Sequence, residues 1–133
     1  MCYFLYGALQ GDVSEKEYQD IQNQYEYKIA RGTKHDIKLA VKSDHGQDDF
    51  RITDWICDCE SPVGKHEPND PVILELSSLI SDLAELPGAN QINICKTWTG
   101  KTNKKEVNLK LKDLELPLFL ADMDENCLYS IDL

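Results

Sequence analysis

The spacing of apolar residues changes from segment to segment along the chain, and each spacing predicts an element. Residues 2–9, CYFLYGAL, form a nearly continuous apolar run rich in aromatics. Such a run predicts a strand covered on both faces and central in its sheet. Ser14 followed by Glu17 matches a capping box, and Val13 with Tyr18 matches a hydrophobic staple at the same helix start. Tyr18, Ile21 and Tyr25 then share one helical face, so a short helix is predicted over about residues 14–25.

From Tyr27 the period becomes two. Ile37, Leu39 and Val41 alternate with Lys38, Ala40 and Lys42, and after the turn SDHGQDD the run FRITDWICDC alternates again, as in a strand meander. The clearest helix spans residues 71–86. Asp70 suits the N-cap and Pro71 the first helical position, while Val72, Leu76, Leu79, Ile80 and Leu83 repeat at helical spacing up to the stop at Pro87 and Gly88. Further on, Ile92 and Ile94 predict a strand, TGKTN a turn, and Val107, Leu109 and Leu111 an answering strand with its lysines outward. LPLFLADM and CLYSIDL, joined by DEN, read as a last hairpin. The predicted fold is α+β: one globular domain over residues 1–133, with a mainly antiparallel sheet of about seven to eight strands and two helices, at about 14–25 and 71–86.

Composition agrees with one folded domain. The 133 residues are enough for a single core, and 41% apolar with 29% charged residues is ordinary for a globular chain. The apolar opening has no basic stretch before it and is too short for a membrane span, so a cytoplasmic protein is expected. Five cysteines, an odd number, point the same way, to free thiols in a reducing compartment.

Charge sharpens the picture. The formal net charge is −10, yet Lys96 to Lys112 holds six lysines against one glutamate, leaving −15 on the remainder. An acidic body disfavours nucleic acid and anionic membrane and favours a basic protein partner. Carboxylates for such a contact are concentrated at Asp44, Asp48 and Asp49, at Asp54, Asp58 and Glu60, and in the stretch from Asp122 to Glu125. The lysine cluster fits a solvated strand edge guarded against aggregation.

Candidate chemistry centres on WICDCESPVGKHEPNDP, residues 55–71. Cys57, Cys59 and His66 are three potential zinc ligands, with Cys95, His35 or His45 as a fourth. The alternatives are buried inert thiols near a strand end, or a reactive thiol paired with a histidine. The spacing lacks the paired knuckles usual in structural zinc sites, and Asp54, Asp58 and Glu60 would keep nearby thiols protonated. In DMDEN, Asp122, Asp124 and Asn126 match the start of a calcium loop, but Cys127 and Leu133 stand where glycine and glutamate are needed. No phosphate-binding loop, dinucleotide fingerprint, HExxH or GxSxG is present.

Two expectations of function follow. The first is a non-enzymatic binding module, an inhibitor or immunity-type protein for a basic partner. The second is a zinc-binding or thiol-dependent domain using Cys57, Cys59 and His66. A homo-oligomer pairing strand edges, with the carboxyl-terminal strand as the pairing edge, is a third arrangement compatible with the pattern.

Overall fold

A computed structural model describes residues 3–25, 49–51, 59–98 and 105–133, and the fold is given for these. Strand β1, Tyr3–Gly11, is followed by helix α1, Glu15–Gln24. The short strand β2, Asp49–Arg51, precedes helix α2, Pro71–Ala84, and strand β3, Ala89–Trp98. Strand β4, Lys105–Lys110, leads through a 3-10 turn, Leu111–Asp113, into helix α3, Leu116–Asp122, and the chain returns in strand β5, Cys127–Asp132.

The first helix forms as its sequence requires. The Ser14 hydroxyl accepts the Glu17 N–H at 3.4 Å, satisfying one otherwise orphaned donor of the first turn. Tyr18, Ile21 and Tyr25 are buried on the inner face, with Val13 packed against the same core. In α2, Asp70 Oδ1 accepts the Val72 N–H at 2.9 Å, and Ile73, Leu76, Leu79, Ile80 and Leu83 are buried. Each such side chain contributes about 1.5–3 kcal/mol on leaving water. The two helices are tied together by the Tyr25 hydroxyl, which donates to Asp82 Oδ2 at 2.6 Å.

The sheet has the order β2-β1-β3-β5-β4. β1 pairs antiparallel with β3 from Tyr3 opposite Trp98 to Gly11 opposite Ala89. Leu5 and Leu9 on β1, with Ile92 and Ile94 on β3, face the core under the helices. The alternate residues Tyr6 and Ala8, with Cys95 and Leu128, form a smaller buried cluster on the other face. The continuous apolar run of β1 is thus explained by burial on both sides and by strand neighbours at both edges. Gly11 and Gly88 meet where β1 ends and β3 begins. Both have positive φ, 126° and 87°, and a side chain on either would strike the backbone of the opposing turn.

The structure corrects the predicted sheet. Among the described residues there are five strands, one of them only three residues long, and three α-helices, rather than seven to eight strands and two helices. Part of the predicted meander, including Ile37, Leu39 and Val41, lies outside the described residues. LPLFLADM is the helix α3, not a strand. Seven apolar-rich residues satisfy either period, and here Pro117 in the first turn and the Phe119 N–H donating to Glu115 O at 2.9 Å start a helix.

The predicted hairpin between β3 and residues 107–111 also fails, because β5 lies between them. β5 pairs antiparallel with β3 and parallel with β4, from Lys105 opposite Cys127 to Lys110 opposite Asp132. A parallel pair needs a crossover, and the 3-10 turn with α3 supplies it. The carboxyl-terminal strand is therefore interior, and the lysine-bearing β4 is the edge.

Candidate functional site

The loop from Ser61 to His66 holds the end of α3. The backbone N–H groups of Gly64 and His66 donate to Leu120 O at 2.9 Å and Ala121 O at 2.8 Å, satisfying carbonyls that a helix end leaves without partners. Gly64, at φ 81°, must be glycine for this approach, since a Cβ there would lie 2.7 Å from the Met123 carbonyl oxygen. Ser61 Oγ accepts the Val63 N–H at 3.2 Å within the loop. Beneath it the ammonium of Lys96, a β3 residue only 2% exposed, donates to Val63 O at 3.1 Å. The glycine and histidine of SPVGKHEP thus serve a docking role that a simple connection would not need.

A second turn fixes the other side of the helix end. Asn126, at φ 60°, donates its N–H to Lys96 O at 2.8 Å, and its side-chain oxygen accepts from Thr97 Oγ1 at 2.9 Å. The Asp124 N–H donates to the Tyr129 hydroxyl at 3.0 Å. Burial pushes the Tyr129 phenol up to about 12; the Asp124 N–H opposes this in part and the Cys127 side chain adds to it. Tyr129 is therefore a neutral, anchored ring at physiological pH, packed edge-on against Phe119 with centroids 5.0 Å apart.

Held in this way, α3 covers β5 but leaves β4 half-covered, and an open groove of about 550 Å³ runs between them. Val107 and Leu109 of β4, Tyr129 of β5, and Phe119 and Met123 of α3 line it with apolar surface, and Leu114 and Leu118 complete the wall. Among the described residues, every charged lining residue is a carboxylate: Asp113, Glu115 and Asp122. Leu118 is 46% exposed and adds its side chain to the apolar wall of the groove. A second hollow of about 400 Å³, between Leu111, Leu116, Ala84 and Leu133, adjoins the first through Leu114. Among the described residues, the lining of the first groove combines apolar side chains with carboxylates, a surface that offers hydrophobic contact and attraction for cations.

The residues proposed from sequence fall in several places. Cys57 lies outside the described residues. Cys59 is half-buried, and its Sγ accepts the Tyr3 N–H at 3.3 Å. His66, 77% exposed and at φ 63°, directs Nδ1 to Asp122 Oδ1 at 2.8 Å. Among the described residues no group of three or more histidine, cysteine, aspartate or glutamate side chains is placed to hold a metal ion. Asp44, Asp48, Asp54 and Asp58 lie outside the described residues, Asp49 begins β2, and Glu60 is exposed. Of the acidic stretch 122–125, Asp122 enters the groove, and through it His66 is joined to the groove's end. Asp113, Glu115, Phe119 and Met123 were not singled out from sequence. Their signal is the set of three carboxylates bracketing the apolar run of DLELPLFLAD.

Comparison of the chain with family models, with curated proteins and with solved structures finds no match. Among the described residues, no helix is long and apolar enough to cross a membrane.

Proposed function

We propose that this chain is a non-enzymatic cytoplasmic binding module, an inhibitor or immunity-type protein, that docks a basic protein partner in the groove between β4 and α3. The observation that carries the reading is the lining of that groove: an apolar floor whose charged members, among the described residues, are three carboxylates. Apolar surface supplies affinity, and the carboxylates select a partner that carries Lys or Arg around an apolar anchor. The net charge of −10 supports long-range attraction of the same partner.

The test is co-purification from the native cell at low and high salt, with the wild-type chain beside Asp113→Asn/Glu115→Gln. These two carboxylates are chosen because Asp122 also holds His66. A basic protein retained by the wild type at low salt, lost at high salt and lost from the double variant is the expected result. Equal recovery by wild type and variant would remove the groove from the reading, and recovery of no basic protein would remove the reading itself.

A further inference from the structure

The groove is bounded on one side by a sheet edge, which bears on the shape of what enters it. Among the described residues, β4 ends the strand order and pairs with β5 along one side. Its residues Val107 and Leu109 point into the groove on the same side as α3, while Asn108 and Lys110 point to the opposite face. A strand laid along β4 at the usual spacing of about 4.8 Å would set every second side chain beside Val107 and Leu109, within the groove.

We propose that the partner segment binds by strand addition to β4. The segment is extended and carries Lys or Arg around an apolar residue on its groove-facing side. This rests on the preceding reading and gives the partner segment a conformation. Main-chain hydrogen bonds to the edge supply affinity that is independent of sequence, and the alternating pockets and charges supply choice. The groove carboxylates Asp113, Glu115 and Asp122 set the sign on the groove face, whereas on the opposite face Glu106 and Lys110 carry opposite charges and Lys110 lies opposite Asp132 of β5. A second copy of this chain is a poorer occupant: antiparallel β4 pairing across a two-fold axis would bring the same acidic rims towards each other.

The probe is a short synthetic peptide that alternates Lys and Leu on one face with Thr and Gln on the other, titrated against the full chain by fluorescence anisotropy. Two backbone-methylated versions, each blocking one alternate set of amides, separate strand addition from simple groove occupancy. The expected result is salt-sensitive binding, weakened at least about tenfold by one methylation pattern and hardly changed by the other, since only one set of amides faces β4. Asp113→Asn/Glu115→Gln should weaken the unmodified peptide by a similar factor. Binding that survives both patterns overturns strand addition while leaving the basic-partner reading in place. Failure of the alternating peptide to bind, with a basic protein still captured in the native-cell experiment, also overturns strand addition alone. A concentration-dependent dimer whose formation excludes the peptide would assign the edge to a second copy and overturn the proposal.

Discussion

Tyr25 ties α1 to α2 through a short hydrogen bond to Asp82, and its burial together with that bond predicts a loss of stability at alkaline pH. Burial raises the phenol's pKa first, and the hydrogen bond to Asp82, the charge of Asp82 and the charge of Glu75 raise it further, to about 12. The folded value lies above the ordinary phenol value of 10.0. The folded state therefore holds this proton more tightly than the unfolded chain does. The contribution is complete below the unfolded value and is lost as the pH rises through the folded one, so stability should fall between pH about 10 and about 12. Tyr129, also pushed up to about 12, adds a second proton to the same window. Urea unfolding across this range is expected to show a midpoint that falls with pH, and Tyr25→Phe should make the fall shallower by one proton. An unchanged slope in the variant would mean that the Tyr25–Asp82 contact does not persist in solution.

At the scale of elements, what was legible in the sequence divides along the range of the interactions involved. Helices α1 and α2 could be read because Ser14 and Asp70 accept backbone N–H groups within one turn of themselves and Pro71 sits in the first turn. Helix α3 could not, because its seven residues are too few to favour a helix alone and its last carbonyls are satisfied by Gly64 and His66, far away in sequence. The place of β5 between β3 and β4 was hidden for the same reason, since apolar alternation marks a strand but not its neighbour. The groove inherits both difficulties, being assembled from β4, the 3-10 turn, α3 and β5. Two neighbouring leucines in α3 now separate structure from binding. Leu120 is buried, and Leu120→Ala should cost about 2–5 kcal/mol in denaturant titration. Leu118 is exposed in the groove wall, and Leu118→Ala should leave the unfolding midpoint nearly unchanged while weakening partner capture. If Leu118→Ala instead destabilises as much as Leu120→Ala, the groove is core surface rather than a docking wall.

For the whole molecule, the strand order sets a gradient of stability that the proposed function needs. β3 lies between β1 and β5, and its residues Ile92 and Ile94 are buried under the helices with Leu5, Leu9 and Ile131. To expose an amide in β3, pairing on both sides and the core above must be lost together. Among the described residues, β4 is paired on one side by β5, its Val107 and Leu109 are only half-buried, and the remaining residues of the strand are exposed. Opening of β4 therefore costs less than global unfolding. Hydrogen exchange should show the amides of Ile92 and Ile94 exchanging with the free energy of global unfolding, and those of residues 105–110 exchanging more readily. Adding the alternating basic peptide should slow exchange selectively along β4, because the added strand supplies partners to its outer edge. If β4 is already as protected as β3, the edge is closed in the free protein and a partner strand has no place to join. A peptide that slows exchange only in α3 would mark docking on the helix side of the groove, with the sheet left as it is.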